Sequence, residues 1–166
     1  MTLLLVRHAE AESRSGWNAP DVLRPLSPRG RRQATGLVHL LGDRFPIGRL
    51  VSSPSLRCIE TLSPLAAVLG LTLEVSSALA EGSEAEAAVK MARAGATLPW
   101  TALVLCSHGD LIPNLLEVIQ ASDDLDLGRS PRCQKGSTWA FEGKRRHFTT
   151  AGYLPPPQRR GRGRRA

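Results

Sequence analysis

Apolar positions follow two patterns along the chain, and the patterns alternate. Apolar runs at 3–6 and 101–106, and shorter strand-like segments at 47–51 and 71–75, are separated by stretches whose apolar residues recur every three or four positions. The runs predict buried strands and the periodic stretches predict amphipathic helices. Ser27-Pro28 supplies a cap and a first-turn proline for a helix ending at Gly42, with Ala34, Leu37, Val38 and Leu41 on its apolar stripe. Ser53-Pro54 repeats the device and opens a helix to about Leu69, with a kink expected at Pro64. A third helix is expected over 83–94, and a fourth from Asp110, where Pro113 is tolerated in the first turn. Residues 9–26 lack a period and read as a long loop; Glu81 falls in another. Two closing strands, 137–142 and 146–150, are expected around a turn at Gly143-Lys144.

This order predicts an α/β fold in three layers: a mostly parallel open sheet with helices on both faces. Ligands collect beyond the carboxyl ends of the strands of such sheets. Arg7-His8, Ser52-Ser53 and Ser107-His108-Gly109 fall there.

Charge changes the picture less than its total suggests. The net charge is +7, but five of the 22 basic residues (Arg159, Arg160, Arg162, Arg164 and Arg165) lie in the last eight positions. Without them 17 basic residues face 15 acidic ones. We therefore expect a near-neutral domain over 1–154 and a disordered Pro/Arg/Gly-rich tail over 155–166, the tail contacting polyanions weakly. Cys58, Cys106 and Cys133 are few and scattered, the start lacks a basic leader, and no apolar run reaches membrane-spanning length. The expected location is the cytoplasm, with no membrane contact.

Two histidines follow strong strands, Arg7 precedes one of them, and Arg57 lies in a first helical turn. Phosphoryl transfer on a side chain needs this set. Guanidinium forks and imidazoles neutralise the charge spread over three oxygens, and a neutral imidazole attacks phosphorus. Leu5-Val6-Arg7-His8-Ala9-Glu10, Arg24-Pro25-Leu26-Ser27-Pro28-Arg29-Gly30, Ser52-Ser53-Pro54-Ser55-Leu56-Arg57-Cys58-Ile59-Glu60-Thr61 and Ser107-His108-Gly109-Asp110 stand in that order. They resemble the motifs of the histidine phosphatase superfamily, whose fold is phosphoglycerate mutase-like. The resemblance covers residues 2 to about 154 and implies His8 as nucleophile and Arg7, Arg57 and His108 as phosphoryl-binding groups. It also implies Glu81, in Ala80-Glu81-Gly82, as the acid. Ala9 stands where the family usually has glycine; its methyl group is expected to be tolerated there, with a narrower pocket as the alternative.

The short length resembles the compact phosphohistidine phosphatases of the SixA type. Gly16-Trp17, Cys133, Lys135-Gly136-Ser137, Trp139 and Tyr153-Leu154-Pro155-Pro156 resemble the phosphatase module that follows the Nudix domain in some actinobacterial hydrolases. The reading is a metal-independent phosphatase without cofactor, acting on a small phosphate ester or anhydride, nucleotides included. The rivals are a protein phosphohistidine phosphatase and an inactive phosphate-binding module.

Other chemistries lack their residues. A cysteine phosphatase needs arginine six positions after its cysteine, where Pro64, Ile112 and Trp139 stand. Lys135-Gly136-Ser137 is not a nucleotide phosphate loop. Cys106 and His108 are expected to face apart, which argues against a zinc pair. His39, His147 and Lys135 read as ordinary surface or loop residues.

Overall fold

The elements run β1 (Thr2–Arg7), α1 (Pro28–Gly42), β2 (Ile47–Ser52), α2 (Leu56–Leu69), β3 (Leu73–Val75), α3 (Ala85–Gly95), β4 (Ala102–Ser107), α4 (Leu111–Asp123), β5 (Thr138–Lys144) and β6 (His147–Leu154). They are taken from a computed structural model that describes residues 1–96 and 101–158. The strands form one sheet in the order β3-β2-β4-β1-β5-β6. Its first four strands are parallel, and β5 and β6 join antiparallel. The three-layer, mostly parallel arrangement is the expected one.

Alternation along each strand builds two cores. Leu4, Val6, Leu50, Ala102 and Val104 pack on Leu37, Leu41, Leu62 and Leu65 of α1 and α2. Leu3, Leu5, Leu103 and Leu105 face the other way, onto Ala88, Ala92, Leu115 and Ile119 of α3 and α4. Both faces of β1 and β4 are dry, which is why their sequences are unbroken apolar runs rather than alternating ones.

Several boundaries differ from expectation for local reasons. The second helix is capped at Ser55, not at Ser53-Pro54, and runs through Pro64 to Leu69. The closing hairpin turns at Arg145 and Arg146, whose φ values of 52° and 67° lie in the left-handed region. Gly143, read as the turn, instead marks a register shift within the ladder. A Cβ built there would stand 2.0 Å from the His147 carbonyl oxygen, so the glycine serves a close backbone approach. The 9–26 loop holds two 3-10 turns, Arg14–Gly16 and Asp21–Leu23, and a single bridge between Ala11 and Leu26.

Pro155–Gln158 are placed too. Pro157 lies so near α1 that a Cβ on Gly36 would stand 2.5 Å from it, so the packed chain continues past Leu154. The five tail arginines lie outside the described residues. Among the described residues no helix is long and apolar enough to cross a membrane.

Candidate active site

Strand register decides which residues meet. Arg7 pairs with Ser107 across β1 and β4, so those two strands end level, and Ser52 pairs with Cys106 across β2 and β4, so β2 ends one residue earlier. The chain leaves the sheet at the next residue of each, which brings His8, Ser53 and His108 to one edge. The His8 and His108 rings meet edge to face with centroids 5.4 Å apart.

His8 is poised as a neutral ring. Its Nδ1 lies 2.7 Å from the Ala9 carbonyl oxygen. A carbonyl only accepts, so Nδ1 carries the proton and Nε2 keeps the lone pair. Burial lowers the pKa from 6.5 to about 3; the bond to Ala9 opposes this, and electrostatic interactions with His108, Arg57 and Arg7 add to it. The Ala9 amide donates to Thr61 Oγ1 (3.0 Å), whose hydroxyl donates to the Arg57 carbonyl (2.6 Å), tying the His8 segment to α2. The Ala9 methyl packs with Leu26 and Ala34. It points toward α1, so the methyl is tolerated as expected and does not narrow the pocket.

Arg57 is only 1% exposed. Its Nη1 donates to the Asp21 carbonyl (2.9 Å) and meets the Asp21 carboxylate (3.1 Å); its Nη2 donates to Glu81 Oε2 (2.8 Å). Arg7 donates through Nη1 to the Cys133 carbonyl. Its guanidinium lies on Gly109: a Cβ there would stand 2.5 Å from Nη2 and 2.6 Å from Cζ. The Nε groups of Arg7 and Arg57 are both buried without a hydrogen-bond partner. An unsatisfied buried donor costs about 1–3 kcal/mol. Two of them, beside the histidine pair, make a site short of acceptors, which a phosphoryl group would supply.

Glu81 reaches the same place by a loop pinned at both sides. Ser107 Oγ donates to the Leu79 carbonyl (2.8 Å), and the Gly82 amide donates to Asp110 (2.8 Å) at a glycine with φ of 75°. Burial opposes ionisation of Asp110, but backbone N–H groups of Gly82, Asp110 itself and Leu111 outweigh it and lower the carboxyl pKa. Glu81, His8, Arg7, Arg14, Asp110 and Lys135 line an open pocket of about 440 Å³. Lys135, read as a plain loop lysine, is thus on the pocket wall.

All five sequence-derived site residues, Arg7, His8, Arg57, Glu81 and His108, come together. Asp21 was missed. It binds Arg24 (2.8 Å), Arg57 (3.1 Å) and Arg14 (3.2 Å), and chiefly the Arg24 hydrogen bond holds its carboxyl well below the usual range. Its position in an aperiodic loop gave no signal beyond the density of arginines around it. Cys106 and His108 do not face apart: the chain leaves β4 at His108, and both thiol and ring reach Cys58. Among the described residues no group of three or more His, Cys, Asp or Glu side chains is placed to hold a metal.

The model of the histidine phosphatase superfamily (branch 1) matches residues 3–94. An 8-oxo-(d)GTP phosphatase of Mycolicibacterium smegmatis is 34% identical over 159 residues; the match covers 94% of this chain and 48% of that protein. The chain thus spans about half the length of that relative. Among solved structures, the protein histidine phosphatase SixA complexed with tungstate superposes with a TM-score of 0.78 at 21% identity, covering 94% of this chain and 97% of that one. A putative phosphohistidine phosphatase SixA from Agrobacterium tumefaciens gives 0.71 at 20% identity, covering 93% and 97%. At those identities the two structures speak for the fold. The family match, together with the four ordered motifs that the fold gathers at one edge, places the chain: it belongs to the histidine phosphatase superfamily.

Proposed function

We propose that the chain hydrolyses a phosphate ester or anhydride of a small molecule, with a nucleotide as the favoured substrate, through a phosphohistidine on His8. The observation that carries this reading is the pair of unpartnered guanidinium N–H groups beside a neutral imidazole whose Nε2 lone pair is free. Arg7, Arg57 and His108 hold the phosphoryl oxygens, and His8 Nε2 forms the P–N bond as the P–O bond to the leaving group breaks. Glu81 gives that oxygen its proton. It then takes one from the water that attacks the phosphohistidine, releasing phosphate and restoring both side chains. The nucleotide preference is supported by the 34% identical 8-oxo-(d)GTP phosphatase. The additional cations Arg14, Arg24 and Lys135 on the pocket wall suit further phosphates.

The test is a turnover screen over nucleoside di- and triphosphates, sugar phosphates and a phosphohistidine peptide, with acid-quenched enzyme mapped for phosphate. Nucleotide turnover with phosphate on His8 is expected. Preference for the peptide would establish the protein phosphohistidine phosphatase reading instead. Binding of phosphate without turnover of any substrate would leave only the inactive module.

A further inference from the structure

His108 is gripped from behind as well as in front. Its Nδ1 lies 3.3 Å from Arg57 Nη2, whereas Nε2 lies 2.7 Å from Ser53 Oγ and 3.5 Å from Cys58 Sγ. A guanidinium N–H can only donate, so its contact with Nδ1 requires a lone pair there and puts the ring proton on Nε2. Ser53 Oγ is the near acceptor for that proton. The same oxygen also accepts the Ser55 amide (3.3 Å). Cys58, whose thiol turns toward the Ser107 carbonyl (3.8 Å), leaves its sulfur as a weaker second acceptor. Ser53, Cys58 and His108 are all 0% exposed, so solvent offers the ring no substitute. Ser53 is also free for the task, because the cap of α2 is Ser55.

We propose that Ser53 is a positioning residue for phosphoryl transfer: its hydroxyl oxygen, backed by the Cys58 sulfur, accepts the His108 Nε2–H, fixes the ring's tautomer and keeps Nδ1 turned to the transferring group. The role rests on His108 as a phosphoryl-binding group. With a lone pair on Nδ1 the neutral ring has no proton there for a phosphoryl oxygen, so it holds the group only after Nδ1 is protonated, and a ring free to rotate would aim that proton elsewhere. The hydrogen bond also stabilises the ring once Nδ1 takes a proton and becomes a donor to the phosphate.

Long-range nitrogen NMR of the histidine side chains in the unsubstituted protein reads the tautomer directly, and His108 is expected in the Nε2–H form. Ser53→Ala should mix the tautomers. With an aryl phosphate it should lower kcat by about 10- to 100-fold, the range for losing a hydrogen bond to a group that becomes charged. The loss in kcat should exceed any rise in KM, and Ser53→Thr, which keeps a hydroxyl, should recover most of it. His108 in the Nδ1–H form in the wild type overturns the proposal, as does Ser53→Ala with unchanged tautomer and kcat. Should Ser53→Ala fail to fold, the wild-type spectrum decides by itself. Absence of phosphate from His8 would sink the covalent mechanism without changing this spectrum, so the two failures are separable.

Discussion

Two clusters in this molecule are built from the same side-chain types and end in opposite states. At the carboxyl edge of the sheet, Arg7, Arg57, His8 and His108 gather with two guanidinium N–H groups left unpaired. Below α3 and α4, Arg93 and His147 gather around Asp123, whose side chain is 0% exposed. There the acid is saturated. Asp123 accepts two bonds from Arg93 (3.0 and 2.9 Å) and one from the Phe148 amide (2.8 Å), and meets His147 Nδ1 at 3.0 Å. The second cluster is a closed clamp that fastens the β5–β6 hairpin to the helices. The first is an open one, short of acceptors. Arginine and histidine near each other therefore say little; whether their donors are satisfied separates fastening from binding.

The comparison breaks first at His8. His8→Ala should reduce turnover by at least about 10⁴-fold, since the proposed nucleophile is gone while the other anion-binding side chains remain. Circular dichroism and melting should show the fold retained, and residual turnover near wild type would refute the mechanism. Glu81→Gln should slow alkyl phosphates by about 10²–10⁴-fold, the range of general acid catalysis. An activated aryl phosphate, whose leaving group needs little protonation, should be slowed much less. Equal losses on both would make Glu81 a structural partner of Arg57 and Arg14.

The two arginine–acid pairs sharpen the contrast. Arg57→Ala should cost about 10²–10³-fold in kcat, because it strips a charge aimed at the transferring group. Asp123→Ala should instead cost about 1–3 kcal/mol of stability, the penalty for leaving the buried Phe148 amide without its acceptor. Its kcat per folded molecule should stay near wild type. Urea unfolding read beside active-site titration distinguishes the two, and a catalytic loss in Asp123→Ala would erase the contrast.

The smallest expected effect is acid sensitivity. The folded-state pKa of His8, about 3, lies below its ordinary 6.5, so below pH 6.5 the unfolded chain binds a proton the native one refuses. The stability tied to His8 is complete above pH 6.5 and lost progressively as pH falls toward 3. Melting temperature should decline over that window, and His8→Ala should decline less. A parallel decline would mean that His8 is not the group responsible.

Much of this was legible in the sequence because the signals were local. Leu3–Val6 and Ala102–Cys106 read as strands because both faces of each are dry, and the motif residues sit at strand ends where the sheet must present them. Ser53-Pro54 misled because a serine before a proline looks like a cap whether its hydroxyl faces a helix amide or a histidine distant in sequence. Gly143 misled because glycine marks close backbone approach as well as turns, while the actual turn uses two arginines in left-handed conformation. Asp21 was invisible because its partners Arg14, Arg24 and Arg57 converge on it only through the folded loop.

The level ending of β1 and β4 has a consequence for how this chain can be edited. His8 and His108 keep their 5.4 Å spacing through the Arg7–Ser107 pairing. Inserting one residue into β1 would shift its end by about 3.3 Å and exchange its two faces. Leu3 and Leu5 would then swap sides with Leu4 and Val6, and the histidines would part as the cores were scrambled. An insertion at the Arg145–Arg146 tip touches neither pairing. Length variation in this protein is therefore confined to its rims, and the strand segments leading to the site can change in composition but not in count.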